Sequence, residues 1–355
     1  MNTISASQSI SPAIERTKNY LFRPFKWSTY LKLVTVACLT EGGSPGFNFN
    51  FSSGSHTSSG VGNLISAAFS LSSGTIALIV IGLLACIALC IYLSYLICRL
   101  RFAFFHCLVH QTKEIKPGWR LYRTQGMRYF IVSLIIGLIF LFVLVLAALP
   151  FIFGCIRLYQ SSLSGGSFNF VSFFLLLLPL FGIIFCLFLV AYVVNAILHD
   201  FILPHMALEN MRFTEAWAAA WPRIRAEKGS FALYLLLRAI LPIAAYIALF
   251  IIAIIPILIV AGIVVLLIIG FHLLTESASG AMTSLWLSIE ILLGIGGIVL
   301  GIVVVFCLGG PIATWIRNYA LFFYGGRYQV LGDILSPPPP LPPTPGTFSV
   351  SSVSK

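Results

Sequence analysis

The sequence predicts an all-α integral membrane protein with about six transmembrane helices, paired as three antiparallel hairpins. Three observations carry that prediction. The chain has 355 residues and is 59% hydrophobic but only 9% charged, whereas soluble domains carry about 25% charged residues. The apolar residues form stretches long enough to cross a hydrocarbon core of ~30 Å. With those stretches taken as spans, twenty of the 21 Lys and Arg residues fall on one side and only Arg157 on the other. This is the positive-inside pattern, and it places both termini in the cytoplasm.

The elements follow in order. Residues 1–20, MNTISASQSISPAIERTKNY, are polar and read as a mobile cytoplasmic segment. They lack the apolar core of a cleavable signal, so the first apolar helix is expected to act as its own insertion signal. Residues 21–40 are apolar but hold Arg23, Lys26 and Lys32. They suit either an interfacial helix or a short, tilted span over about 27–40. The span is preferred, because the following Gly/Ser-rich loop at 41–75 has no Lys or Arg. Clear spans follow at 76–98, at 130–156 (ending near Pro150) and at 169–198. A loop at 99–129 with seven basic residues separates the first two of these.

The apolar stretch 231–274 is too long for one straight crossing at ~1.5 Å per residue. Two accounts compete. It could hold two spans with a tight turn near Pro256. Alternatively, 231–241 lies along the interface with Arg238 snorkelling to water, and Pro242 breaks the helix before one span at 243–270. The second account is preferred, because it keeps Arg317 and Arg327 on the basic side. A last span is expected at 285–310. The membrane domain thus covers 21–335. The tail 336–355, rich in Pro, is expected to be disordered, extended polyproline II and then coil, serving as a spacer rather than a docking peptide.

Cytoplasmic segments of successive hairpins align at an offset of 98. Phe104 matches Ile202, Phe105 matches Leu203, Leu108 matches Met206, Ile115 matches Phe213 and Trp119 matches Trp217. Arg99, Phe104 and Phe105 also match Arg317, Phe322 and Phe323, and an FNF element recurs in the first two outer loops. These matches suggest a threefold internal repeat in one orientation, unlike the inverted repeats of many transporters.

The segments FRPFKW…GGSPGFNFNF, WRLYRTQGMRYF, HDFILPHMALENMRFTEAW and IRNYALFFYGGRY carry a resemblance. Together they resemble a family of uncharacterised bacterial multi-pass membrane proteins. That family is distantly similar to the membrane domain attached to some glycerophosphodiester phosphodiesterases. The resemblance covers about residues 15–330 and implies a bacterial inner membrane and six spans. It implies no catalytic residue, and no phosphodiesterase catalytic domain is expected here.

The candidate functional residues fall into three groups. Trp27, Trp119, Trp217, Trp221, Arg223 and Arg225 sit in the basic segments and suit contact with anionic lipid. On a helix over 213–225, Trp217 and Trp221 share one face, Arg223 and Arg225 point toward the other, and Pro222 argues against an unbroken helix. Glu290 and Asn195 are polar groups at membrane depth, where an ionisable residue implies transport or headgroup contact by default. His106, His110, His199 and His205, with Asp200, would converge on a metal such as zinc if the hairpins pack side by side. The bland alternative is ordinary interfacial histidines. Gly294, Gly296, Gly297 and Gly301 would let helices approach closely.

Other classes are excluded by what is missing. The eight Cys residues lie in or beside apolar stretches, with no C-x-x-C pair, so they read as small buried hydrophobes. The net charge of +11 lies in loops flanking the spans, which speaks against nucleic-acid binding. There is no P-loop, no G-x-S-x-G and no carboxylate pair. No cofactor is expected. The expected function is therefore a non-enzymatic membrane protein that organises phospholipid or a membrane complex. A transporter using Glu290 and Asn195 is the alternative.

Overall fold

The computed structural model describes residues 5–41, 73–163, 170–275 and 280–336. Among these residues all regular structure is helical. The order is α1 (Ile10–Phe22), α2 (Trp27–Glu41), α3 (Ser73–Val109), α4 (Ile115–Leu121), α5 (Arg123–Leu163) and α6 (Phe170–Ala196). A π-helical turn (Ile197–Ile202) then leads into α7 (Leu203–Leu208), α8 (Phe213–Ala226), α9 (Lys228–Thr275), α10 (Gly280–Gly325) and α11 (Gln329–Leu335). Five helices are long and apolar enough to cross a membrane: Ala77–Val109, Arg123–Leu158, Phe173–Leu208, Lys228–Ile252 and Gly294–Gly325. These helices are compatible with the membrane class read from composition.

Prolines interrupt this architecture less than the sequence suggests. Helix α9 runs for 48 residues, straight through Pro242 and Pro256, with neither a break nor a turn at either. Helix α5 likewise continues past Pro150, and α8 past Pro222. A proline removes one backbone hydrogen bond and costs about 3 kcal/mol in a water-exposed helix. Ending a helix in an apolar medium is worse, because several N–H and C=O groups would lose their partners with no water to replace them.

The helices are longer than a membrane is thick. At ~1.5 Å per residue, α9 spans about 72 Å and α10, with 46 residues, about 69 Å. A bilayer with its headgroups is about 40–45 Å thick, so both helices must project into water. Sequence composition shows which end projects. The buried side chains gather where α3 ends (Phe102–Val109), α5 begins, α6 passes into α7 (Ala196–Ala207), α9 begins (Phe231, Tyr234) and α10 ends (Ile312–Tyr324). This is the charged end of the bundle, and it holds α1, α2, α4, α8 and α11 as well. Along the opposite, apolar stretches the large side chains are exposed, for example Leu78, Phe142, Phe181 and Ile252. Lipid, rather than protein, is the natural solvent for those surfaces.

Helices α1 and α2 are fastened onto α10. Helix α1 lies along it, with Asn318 Nδ2 donating to Thr17 Oγ1 at 2.8 Å and the Arg16 guanidinium over the Phe322 ring. Arg16 also donates to the last carbonyls of α3, Leu108 O at 3.0 Å and Val109 O at 3.1 Å, and to Leu335 O at 3.4 Å. A cation here satisfies carbonyls that the helix itself leaves open and complements its dipole. The same side chain joins α1, α3 and α11.

Helix α2 covers residues 27–40, the first expected span, but has only 15 residues, or about 22 Å at the α-helical rise. It is not among the five long apolar helices. It crosses α10 in close backbone contact, with Tyr30 OH donating to Cys307 O at 2.8 Å. The crossing point is Gly310, where a Cβ would lie 2.1 Å from Val34 Cγ1 and 2.8 Å from Val34 Cα. By contrast, nothing lies within 4 Å of the Cβ positions of Gly294, Gly296, Gly297 or Gly301. The close approach expected at that stripe occurs instead about two and a half turns beyond Gly301 on the same helix.

Two stretches share an element pattern. Helix α3 ends at Val109 and is followed by Gln111 at φ 55°. Helix α7 ends at Leu208 and is followed by Asn210 at φ 53°. Each left-handed residue ends a helix and precedes a short one. Those short helices begin at Ile115 and Phe213, which the 98-residue offset pairs, and each leads into a long helix.

Substitution of Gly310 by Ala is expected to force α2 off α10. Overpacking of this kind costs about 1–3 kcal/mol. It should appear as a lowered midpoint in thermal unfolding of the detergent-solubilised protein, while Gly297→Ala on the open stripe leaves the midpoint unchanged.

Candidate functional site

The charged end encloses a cluster of ionisable side chains drawn from five elements. Asp200, in the π-helical turn, stands at its centre and is 2% exposed. Its Oδ2 accepts from Tyr234 OH at 2.6 Å and pairs with Arg238 Nη1, both from α9. Its Oδ1 accepts from Arg317 Nη1 of α10 at 3.0 Å. Arg317 is itself 1% exposed, and the same nitrogen reaches His199 O and His199 Nδ1, each at 2.9 Å. Glu41, the last residue of α2, brings Oε1 to 3.5 Å from His199 Nε2 and 3.8 Å from Arg317 Nε. Arg101 of α3 donates from Nε to Thr40 O at 3.2 Å and stands in the field of Glu41.

The π-helical turn explains how one short segment supplies two of these groups. An i→i+5 turn widens the helix and rotates the following side chains, and such turns recur at functional sites. Here it directs both His199 and Asp200 inward. Aromatic rings seal the cluster. Tyr234 stacks between Phe323 (centroids 4.3 Å apart, planes at 14°) and Tyr319 (5.3 Å, 17°), and the Phe105 ring lies below the Arg317 guanidinium. A buried pair of this kind is stable only when its partners are all present. Asp200 meets that condition, accepting from the Arg317 guanidinium and the Tyr234 phenol and pairing with the Arg238 guanidinium.

A guanidinium can only donate. The His199 Nδ1 that lies against Arg317 is therefore an acceptor, and the ring proton sits on Nε2, facing Glu41. The 3.4 Å approach of His199 Nδ1 to Asp200 Oδ1 brings two acceptors together and is not a hydrogen bond. The same reasoning applies to His205, whose Nε2 accepts from Arg223 Nη1 at 3.1 Å and lies 2.8 Å from Tyr324 OH.

These contacts decide where the predicted residues stand. The four histidines are not brought to one point. His106 and His110 lie with ring centroids 4.5 Å apart and planes tilted by 49°, with Tyr122 at the edge of His106. His199 and His205 each spend a ring lone pair on an arginine, which leaves that nitrogen no electrons for a metal. Among the described residues no group of three His, Cys, Asp or Glu side chains is arranged to hold a metal ion. Arg238 does not snorkel: it is buried and paired with Asp200. Asn195 lies one to two turns before Asp200 and is half-buried. Glu290 is on α10, 27 residues before Arg317, or about 40 Å along the helix; its side chain lies outside the described residues.

The tryptophans lie at the rim of the charged end. Trp27 is 60% exposed and clusters with Phe22, Phe25 and Tyr30, beside the exposed Arg23 and Lys26. Trp119 packs under the Arg99 guanidinium at 4.3 Å. On α8, Phe213, Trp217 and Trp221 stack in succession, with 5.3 Å between the two indoles. The expected division of α8 into an aromatic and a basic face does not hold. Arg225 lies over Trp221, because its planar cation is drawn to an indole face. Arg223 turns inward to His205 and Tyr328. Burial raises the Tyr328 phenol above its ordinary range, so it stays protonated beside that arginine.

Sequence reading placed His199 among the candidates but missed Glu41 and the full roles of Arg238 and Arg317. A signal was present: Glu41, Asp200, Arg238 and Arg317 all adjoin or interrupt apolar runs, where an unpaired charge is too costly to stand alone. Their partners are 38 to 276 residues apart in sequence, so no local spacing could pair them.

A family model described as a family of unknown function (DUF7544) matches residues 4–334. The chain belongs to that family. No curated protein and no solved structure matches it. Membership agrees with the resemblance to an uncharacterised family, and no similarity to glycerophosphodiester phosphodiesterases is shown. The match takes in every element of the charged cluster, from Glu41 to Arg317.

Removing the central carboxylate is expected to be the most damaging single change in the cluster. Asp200→Asn would leave Arg238 and Arg317 facing each other, at about 3–5 kcal/mol. Tyr234→Phe, which deletes one hydrogen bond, should cost about 1–3 kcal/mol. Thermal or denaturant unfolding in detergent should rank them in that order.

Proposed function

We propose that the chain is a non-enzymatic multi-pass protein of the bacterial inner membrane, with both termini in the cytoplasm. Its role is to organise anionic phospholipid, or a membrane complex, around its charged end. The observation that carries this reading is the exposed aromatic and basic rim. Phe22, Phe25 and Trp27 stand beside Arg23 and Lys26 on one part of the end, and Trp217, Trp221 and Arg225 on another. Aromatic rings of this kind settle at the headgroup level. Each basic residue near an anionic leaflet adds about 1 kcal/mol of attraction. The positive-inside pattern supports the orientation, and the shared pattern around Gln111 and Asn210 supports an internal repeat.

The test is the lipid that travels with the protein. Native mass spectrometry after gentle extraction is expected to show anionic phospholipid bound to the wild type. A Trp217→Ala, Trp221→Ala, Arg225→Ala variant should retain several-fold less of it, with zwitterionic lipid unaffected. An unchanged lipid profile would sink the lipid-organising role. A co-purifying protein with no bound lipid would move the reading to a complex subunit. A fluorescent reporter fused after Lys355, one that matures only in the cytoplasm, should glow in intact cells.

A further inference from the structure

Asp200 is fully engaged, yet the cluster around it is not balanced. Arg101, Arg238 and Arg317 bring three guanidiniums to the described cluster, and Asp200 and Glu41 bring two carboxyl groups. Even with both carboxyl groups ionised and His199 neutral, at least one guanidinium charge is left over. The donors show the same surplus. Arg317 Nε and Nη2 and Arg238 Nε are buried and make no hydrogen bond. The group nearest to that edge is Glu41, but it fits poorly. Its Oε1 lies 3.8 Å from Arg317 Nε and 3.5 Å from His199 Nε2, and it accepts no hydrogen bond. A charge-assisted bond between a guanidinium and a carboxylate closes to about 2.7–2.9 Å. Glu41 therefore faces the arginine edge without the geometry of a bound partner.

We infer that the free edge of Arg317, with Arg238 and Arg101 beside it, is a binding site for a phosphate oxyanion, and that Glu41 stands in for the ligand when the site is empty. A phosphate group suits this edge for two reasons. The fork of an arginine matches paired phosphate oxygens, and the negative charge of a phosphate offsets guanidinium charge that the cluster leaves unbalanced. Glu41 is well placed to act as a displaceable stand-in. It is the C-terminal residue of α2, and Arg101 holds the end of that helix through Thr40 O rather than through the carboxylate. The site is buried and stands apart from the aromatic rim, so it does not rest on the reading of that rim. The phosphate could belong to a lipid headgroup, since the cluster lies where the apolar stretches give way to the charged end, or to free phosphate.

Displacement gives a test that misfolding cannot imitate. Glu41→Gln removes the competing charge and should raise affinity roughly tenfold, the equivalent of one charge-assisted contact. Arg317→Lys keeps the charge but loses the fork, and should lower affinity by a similar factor. The full chain in neutral detergent would be titrated with palmitoyl-oleoyl phosphatidylglycerol, read by native mass spectrometry. A parallel titration with inorganic phosphate would be read by thermal shift. The expected pattern, tighter for Glu41→Gln and weaker for Arg317→Lys, in the lipid arm assigns a headgroup; in the phosphate arm it assigns a free anion. The rim variant should bind at this site like wild type. If Glu41→Gln binds neither probe more tightly than wild type, the inference is overturned.

Discussion

Asp200 is the constraint on which the charged end depends. A carboxylate withdrawn from water is tolerable only with its lone pairs filled and its charge countered. The chain meets that demand with Arg317 of α10, Arg238 and Tyr234 of α9, and the backbone rotation of the π-helical turn. Because these donors come from different helices, the same contacts set the helices' mutual rotation and depth. The stacked rings of Tyr234, Tyr319 and Phe323 then fill the space between them. The ion cluster and the aromatic core are thus parts of one arrangement. The ions give direction, and the rings supply the buried apolar area.

The molecule divides its work along the length of its helices. The apolar stretches carry little specific packing, and their side chains are left to lipid. In an apolar solvent, burying leucine against leucine gains little, so association there would need close backbone approach or polar contacts. The described glycines on the final apolar stretch meet no neighbour. At the charged end water is available as the competing solvent, and the hydrophobic effect operates fully. The buried core lies there, and so does the close crossing of α2 and α10 at Gly310. Short helices α1, α2, α4, α8 and α11 wrap that end and link both ends of the described chain, with Arg16 touching the carbonyl of Leu335.

The same division separates two kinds of arginine. Arg23 and Arg225 lie at the surface among aromatic rings, where a cation can face headgroups and still be solvated. Arg238 and Arg317 are withdrawn and spoken for by Asp200. Charge counting along the sequence treats all four alike, although they do opposite things. One set meets the membrane surface, and the other holds the fold together and leaves a polar edge unfilled.

Sequence alone determined the membrane class, the long apolar helices and the clustering of basic residues, because hydropathy and charge are properties of single residues and short windows. It also paired Ile115 with Phe213, and each begins a Trp-bearing helix, although a helix was expected only at the second. What it could not determine was whether Pro242 and Pro256 break α9, because that depends on whether water can reach the freed backbone groups. Nor could it pair Asp200 with Arg238 and Arg317 or bring Glu41 beside them, or foresee that His199 and His205 give ring nitrogens to arginines. Those outcomes depend on which helix faces meet, and only the tertiary structure decides that. A charge in an apolar run announces that it needs a partner, while the packing of five elements decides which partner it gets.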